Sequence, residues 1–239
     1  MNARVTPGTL VDLWDRALDA PPVERAIDAL VVGLDLERTV AEALPIGRRD
    51  EQLLRLRVRL FGDRFDTVTT CPSCGELIEA TFDAGNLRID EPEVPASSTE
   101  VDDWEVVWRL PTSADLRAIA DCPDVDAARA GLVERTVLDA LGNSGERDPI
   151  PDWVLARVIE DMGRADPGAE MRFELVCPWC EHSWNALFDI AEFLWSEIDS
   201  AAQRLLEDVG TLAAAFGWSE REILAMGPAR RHRYLELAT

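Results

Sequence analysis

The most constraining feature of the sequence is a Cys-Pro-x-Cys turn that occurs twice. Its cysteines are Cys71, Cys74, Cys177 and Cys180. Equivalent cysteines are 106 residues apart (177 minus 71, and 180 minus 74), and a Phe-Asp pair follows each turn at the same offset, at Phe82 and Phe188. Each copy reads as strand, tight turn and strand. The pattern therefore predicts two related β-hairpins that supply four thiols to one place.

Four cysteines in two such turns are typical of a structural zinc site. Zinc takes about four tetrahedral ligands at Zn–S distances of about 2.3 Å, and a C-x-x-C turn directs both of its sulfurs to one point. Pro72 restricts the backbone after the first cysteine, and Gly75 tolerates the positive φ that such turns commonly require. Glu181 stands at the equivalent place in the second copy, which departs from the pattern. We expect one structural zinc ion bound by both turns.

The sequence leaves other uses of these thiols open. Two disulfides would suit an exported protein, but the first residues lack the apolar stretch of a secretory signal. A thioredoxin-like redox pair is expected at a helix start rather than between two strands. An iron–sulfur centre uses the same ligands as zinc. His182 is a weaker alternative ligand, and Cys122 fits a small buried hydrophobic residue better than a fifth ligand.

The charge of the chain bears on its partners and its location. The net charge is −22, with 46 acidic and 24 basic residues, which disfavours binding to nucleic acid and anionic membranes and suits a cationic protein surface. No run of about 18 apolar residues occurs, so no transmembrane helix is expected. We expect a cytoplasmic protein, or one incorporated in a larger particle, that binds other proteins rather than nucleic acid, a membrane or a small-molecule substrate.

The composition also argues against catalysis. All 24 Lys and Arg positions are arginine, and the absence of lysine excludes a P-loop, a protein kinase and a pyridoxal phosphate enzyme. The two histidines, His182 and His232, lie in no GxSxG or HExxH motif. We therefore expect a protein that is not an enzyme.

Hydrophobic periodicity predicts an α+β fold, in which a zinc-ribbon-like pair of β-hairpins is flanked by N-terminal, inserted and C-terminal helices. The acidic segment 89–103 is expected to be a solvated loop, and a helix is expected over about 124–141. We expect the segments to form one compact unit. They are an N-terminal helical segment (1–62), a first hairpin (63–88), an inserted strand with helices (104–166), a second hairpin (168–190) and a C-terminal helical hairpin (190–239).

Two arginine clusters stand out in this acidic chain. Arg48, Arg55 and Arg59 share one face of a predicted helix, and Arg230 and Arg231 lie near the C-terminus. Pairing with the surplus carboxylates of the same chain is the favoured interpretation, and docking of an acidic partner is the alternative. Trp179, at the tip of the second cysteine turn, is a further candidate contact because tryptophan is enriched at interface hot spots.

A set of short motifs runs through most of the chain, in addition to the two cysteine turns. They are Leu44-Pro45-Ile46-Gly47-Arg48-Arg49-Asp50, Leu53-Leu54-Arg55-Leu56-Arg57, Phe61-Gly62, Leu110-Pro111-Thr112-Ser113-Ala114-Asp115-Leu116, Phe188-Asp189-Ile190, Gly217-Trp218-Ser219-Glu220 and Arg230-Arg231-His232-Arg233-Tyr234-Leu235. Together with the cysteine turns, these motifs resemble the T4-type baseplate hub assembly proteins of contractile phage tails and phage-tail-like injection systems. The resemblance implies a structural or assembly role with baseplate or tail proteins as partners.

Together these observations favour a non-catalytic protein, stabilised by zinc, in a contractile tail-like baseplate. The main alternative is a zinc-ribbon adaptor that binds nucleic acid or transcription machinery, which would bind nucleic acid in a salt-sensitive way. A thiol oxidoreductase is the third possibility, and it would contain no bound metal.

Overall fold

The computed structural model describes residues 5–86, 96–142 and 149–238. Its helices are α1 (Pro7–Ala17), α2 (Pro22–Leu34), α3 (Arg38–Ala43), α4 (Ile46–Phe61), α5 (Ser113–Ile119), α6 (Val125–Thr136), α7 (Asp152–Ala165), α8 (Ile190–Phe216), α9 (Glu220–Leu224) and α10 (Pro228–Ala238). Its strands are β1 (Arg64–Thr70), β2 (Leu77–Asp83), β3 (Ala96–Val101), β4 (Trp104–Arg109), β5 (Val137–Leu141), β6 (Arg172–Val176) and β7 (Ser183–Leu187). The α+β prediction is confirmed. In these ranges no helix is both long enough and apolar enough to span a membrane.

The chain divides into two compact units. The first combines Met1–Arg38 with Ile190–Thr239, and the second is Thr39–Asp189. In the first unit α1 packs on α2, α8 and α9, while α2 and α10 also contact α8. The terminal segments of the chain therefore share one helical core.

The apolar stripe of α8 determines how the first unit packs. Leu194, Ile198 and Leu212 are buried along one face of this helix, as expected from their spacing. The helix ends before Gly217, which has a φ of 71°, a usual helix-terminating conformation. Ser219 and Glu222 then form a capping box at the start of α9.

A three-stranded antiparallel sheet in the order β3-β4-β5 lies in the second unit. The alternating residues Val106 and Trp108 of β4 are buried against Val158 of α7. The Trp108 Nε1–H donates to Thr99 Oγ1 at 2.9 Å, and the Thr99 hydroxyl donates to Asp161 Oδ2 at 2.8 Å. These bonds satisfy the polar atoms at the buried edge of the sheet.

Two predictions for this region were wrong in part. Residues 96–101 were expected to be loop but form β3, because the polar strand pairs with β4 and buries Thr99. The helix expected over 124–141 ends at Thr136, and the chain continues as β5, which pairs with β4. Residues 89–95 of the expected acidic loop lie outside the described residues.

The two predicted hairpins are confirmed. Strand β1 pairs antiparallel with β2, and β6 pairs antiparallel with β7. Four phenylalanine rings join them at the ends away from the cysteine turns, with centroid separations of 4.8 to 6.1 Å. The four are Phe65, Phe82, Phe173 and Phe188.

The start of α4 is attached to two other segments of the second unit. The Ile46 N–H donates to the Pro111 carbonyl at 3.1 Å, and the Gly47 N–H donates to Asp166 Oδ2 at 2.9 Å. A Cβ atom at Gly47 would lie 1.9 Å from Asp166 Oδ1. The close approach therefore requires glycine at this position.

Candidate metal centre

The two cysteine turns have the same backbone hydrogen bonds. In the first turn the Cys71 N–H donates to the Glu76 carbonyl at 2.9 Å, and the Gly75 N–H donates to the Cys71 carbonyl at 3.0 Å. In the second turn the Cys177 N–H donates to the His182 carbonyl at 2.9 Å, and the Glu181 N–H donates to the Cys177 carbonyl at 3.0 Å. Each turn is therefore closed by its own backbone hydrogen bonds, independently of any metal.

The residue after the second cysteine adopts a left-handed conformation in both turns. Gly75 has a φ of 77° and Glu181 has a φ of 57°. The departure seen in the sequence, glutamate in place of glycine, is thus a change of residue without a change of backbone shape. A side chain in this region costs about 1–2 kcal/mol, so the second turn is the more strained of the two.

The structure brings the four predicted cysteines together. Their Sγ atoms all lie within 4.8 Å of one another, and the pairs Cys71–Cys180 and Cys74–Cys177 are 3.7 and 3.6 Å apart. Four sulfurs placed tetrahedrally about 2.3 Å from one ion are about 3.8 Å apart. The thiols therefore fit the ligand sphere of a single metal ion.

Burial of the cysteines follows the repeat. Cys71 and Cys177, the first cysteine of each turn, are buried, whereas Cys74 and Cys180 are exposed. Ile78 contributes to the same apolar cluster, and Trp184, the equivalent residue 106 positions later (184 minus 78), packs against it. One side of the site is thus shielded from water and the other side is open.

The thiols influence one another's ionisation. Burial opposes ionisation of Cys71, but backbone hydrogen bonds from Cys74 and Ser73 and the neighbouring thiols outweigh it and lower the pKa of Cys71 to about 7. A backbone hydrogen bond from Glu76 favours the Cys74 thiolate, but burial and hydrogen bonds with the other sulfurs outweigh it and raise the pKa of Cys74. The first thiolate of the set is therefore available near neutral pH, as metal binding requires.

His182 and Cys122 lie apart from the four clustered cysteines. The His182 ring stacks on Trp184 with a centroid separation of 6.1 Å, and among the described residues the potential metal group contains the four cysteines without it. Cys122 is half-buried and lines a separate pocket with Arg109 and Asp115. The two side chains therefore play no part in the candidate centre.

The arginines of α4 are largely engaged within the chain. Arg48 and Arg55 both pair with Glu51. Arg57 donates to the Gly62 carbonyl at 2.7 Å, and its guanidinium lies 3.7 Å from the centroid of the Phe65 ring. Arg59 is exposed and has no ion-pair partner in the described parts of the chain.

The remaining candidate contacts differ in exposure. Arg231 of α10 is buried and pairs with Asp208 at 2.8 Å, whereas its neighbour Arg230 is exposed. Trp179 is 72% exposed at the tip of the second turn. Arg230 and Trp179 are therefore accessible to a partner, and Arg231 instead attaches α10 to α8.

Sequence reasoning missed Asp166 as a residue that shapes the second unit. Asp166 is 3% exposed. Its carboxylate accepts a hydrogen bond from the Gly47 N–H and has one oxygen, Oδ1, without a partner among the described residues. Burial raises the pKa of Asp166, while the Gly47 N–H and Arg49 oppose that rise. No local pattern in the sequence pairs Asp166 with a glycine 119 residues away.

The comparison with known families bears on the segment that contains the first hairpin. Residues 23–138 match the family model described as T4 bacteriophage base plate protein. This match supports the interpretation of the chain as a phage base plate protein. It covers a little less than half of the chain. It includes the motifs around Pro45 and Pro111 and the turn of Cys71, but it ends before Cys177. No curated protein and no solved structure matches the chain significantly.

Proposed function

We propose that this chain is a non-catalytic, zinc-stabilised structural or assembly protein of a contractile tail-like base plate. The base plate match over residues 23–138 is the observation that carries the proposal. The motifs quoted from the sequence further support a role in assembly of the base plate hub. The protein would be made in the cytoplasm and would act there or within a tail-like particle, with other base plate or tail proteins as its partners.

Zinc is the metal that the four thiols fit best. Structural zinc sites are closed four-ligand sites, and the four cysteines provide a complete set of ligands. A cluster of several irons would need its cysteines to bind different irons, and sulfurs within 4.8 Å of one another favour a single ion. Bound zinc would supply a cross-link between hairpins that are distant in sequence.

The cross-link explains how a base plate protein could keep its shape under load. The hairpins meet at the cysteine turns and again at the cluster that contains Phe82 and Phe188, whose rings are 5.6 Å apart. With zinc bound, attachments at both ends would restrict rotation of one hairpin against the other. The pair then acts as one rigid piece, and this suits a scaffold better than a catalyst.

Exposed side chains supply the proposed contacts with partners. Arg59, Arg230 and Trp179 are accessible, and Arg48 and Arg55 could exchange Glu51 for a partner's carboxylate. Glu51 is buried, and a buried carboxylate left without a partner is costly. The exchange therefore has a small cost only if one of the two arginines stays paired with Glu51. Because the chain has a net charge of −22, these arginines would act as local sites for acidic groups.

Two measurements test the proposal. Metal analysis of the purified protein should find about one zinc per chain and no iron. Deletion of the gene in its host should leave sheath and tube material without complete base plates in electron micrographs, and the intact gene should restore them. Normal particles after deletion would reject the base plate role, and a metal-free or iron-containing protein would reject the zinc assignment.

A further inference from the structure

An apolar groove lies between α6 and α7 in the second unit. Its volume is about 530 Å³, within the range of about 300–1,000 Å³ found for binding pockets. Its lining comes mainly from apolar side chains of α6 and α7. It is distinct from the cysteine site, and no function has so far been assigned to it.

One face of α6 forms a wall of the groove. The α6 residues in the lining follow the spacing i, i+3, i+4, i+7, i+8 and i+11, counted from Val125. Nevertheless, Thr136 is the one buried residue of this helix, and Val125 is 81% exposed. A short helix normally gains its stability by packing an apolar face. The face of α6 is formed but remains largely uncovered.

The opposite wall comes from α7. Leu155, Val158, Ile159 and Met162 follow the spacing i, i+3, i+4 and i+7. Val158 also reaches the core of the sheet, whereas Ile159 is 41% exposed at the rim. Helix α6 contacts α5 and β5 and makes little direct contact with α7. Two apolar helix faces thus border a shared space without filling it.

Arg129 is the single charged side chain in the described lining of the groove. It lies in the middle of the α6 face and has no ion-pair partner in the described ranges. The other polar group, the Thr136 hydroxyl, donates to the Leu132 carbonyl at 2.8 Å. The groove therefore presents apolar walls and one unmatched positive charge, in a chain whose net charge is −22.

We propose that this groove binds an amphipathic helix of a partner protein, whose apolar face carries one carboxylate opposite Arg129. Two helix faces on either side of an open channel suit a third helix, as in helix-in-groove recognition. A fatty acid would also match apolar walls and one arginine, but the exposed rim residues Val125 and Ile159 favour a broad protein surface. The proposal deepens the proposed function, because it identifies the surface that a base plate partner would contact.

The test uses the full-length protein and a synthetic amphipathic peptide. The peptide has about four helical turns, a leucine stripe and one glutamate within that stripe. Titration followed by backbone amide NMR shifts should show saturable binding, with the largest shifts in α6 and α7. Arg129→Glu should weaken binding at least about tenfold, because it removes a charged hydrogen-bonded pair and adds repulsion. A peptide with arginine in place of glutamate should bind the Arg129→Glu protein better than the original protein.

Matched variants separate specific binding from general effects. Val125→Asp changes an exposed rim residue and should weaken binding, while Leu138→Asp, at a residue 57% exposed outside the lining, should not. Arg204→Glu makes the same charge change on α8 and should leave binding unchanged. Far-ultraviolet circular dichroism should show that all variants keep the helical content of the original protein.

Three results would overturn the inference. They are no saturable binding, binding that Arg129→Glu and Val125→Asp do not alter, and decanoate binding at the same residues more tightly than the peptide. The titration needs no tail component, so its failure leaves the base plate role to be judged by the deletion experiment. Conversely, particles unaffected by gene deletion would not change the outcome of the titration.

Discussion

The Sγ atom of Cys71 lies 3.7 Å from the Sγ atom of Cys180, although 109 residues separate them in the chain. The second close pair, Cys74 and Cys177, also joins the two turns, at 3.6 Å. A metal held here therefore connects the hairpins to each other, in addition to closing each turn. Loss of the site should accordingly affect the relation between the hairpins as well as the turns.

Replacing Cys177 with serine should release the metal and destabilise the second unit. Zinc binding in structural sites is worth about 10–16 kcal/mol at neutral pH, and this energy is coupled to folding. We expect loss of bound zinc, a lower melting temperature and a tendency to aggregate. Metal analysis and thermal unfolding followed by circular dichroism provide the measurement.

Cys122→Ser is the matched control for this experiment, because Cys122 lies apart from the four clustered cysteines. It should retain its metal and melt close to the original protein. Removing zinc with a chelator should lower the melting temperature of the original protein and have no further effect on Cys177→Ser. A soluble Cys177→Ser protein with an unchanged melting temperature would contradict the proposed zinc cross-link.

Replacing Glu181 with glycine should stabilise the zinc-loaded protein. Glu181 has a φ of 57°, the conformation that Gly75 adopts in the first turn. Glycine relieves about 1 kcal/mol of backbone strain there. The control is the same substitution in β2, Glu79→Gly, which should destabilise the protein by about 0.5–1 kcal/mol. Urea unfolding midpoints at saturating zinc measure both changes. Equal effects of the two substitutions would show that backbone strain in the turn is negligible.

Replacing Gly47 with alanine should destabilise the second unit by about 1–3 kcal/mol, because the added methyl group overpacks a buried contact. The Cβ atom would lie 1.9 Å from Asp166 Oδ1 and 2.8 Å from the Ala169 nitrogen. In contrast, a Cβ atom at Gly163 in α7 meets no atom within 4 Å, so Gly163→Ala should stabilise by up to about 1 kcal/mol. Chemical denaturation measures the free energy of unfolding of both variants. An unchanged free energy of unfolding for Gly47→Ala would contradict the close contact between Gly47 and Asp166.

Asp115 should make stability depend on pH in acid. Burial would raise its pKa, but the Arg109 guanidinium and the Thr112 N–H and hydroxyl outweigh burial and lower the pKa of Asp115 from 3.8 to about 2. The Asp115 carboxylate therefore binds a proton less readily in the folded protein than in the unfolded chain. The resulting stabilisation, at most about 2 kcal/mol, is present above about pH 4 and is lost as the pH falls towards 2.

Comparison with Asp115→Asn isolates this contribution. The stability difference between the two proteins should be constant from neutral pH to about pH 5 and should narrow below it. Acid also releases the metal, and burial raises the pKa values of Asp50 and Asp166. Both effects occur in the two proteins alike, so they cancel in the stability difference. A difference that does not narrow with acid would reject the assigned role of Asp115.

The sequence predicted the parts of the site whose signals are local. Two turns with the same spacing and a Phe-Asp pair after each identified both hairpins and the four clustered cysteines, because turn residues and alternating strands act over a few positions. The stripe of α8 and the capping box at Ser219 were predictable for the same reason. The strand β5 was not, since Val137–Leu141 reads as a continuation of a helix until β4 pairs with it.

Local chemistry in the sequence thus determined the hairpins, the four clustered cysteines and most helices. The tertiary structure decided that the thiol of Cys71 lies close to that of Cys180 and that the Gly47 N–H donates to Asp166. It also placed the two terminal segments of the chain in one helical unit. It also decided that α6 and α7 leave a groove between them. These relations depend on contacts between residues far apart in the chain, which form only when whole elements pack, and no short-range pattern specifies them.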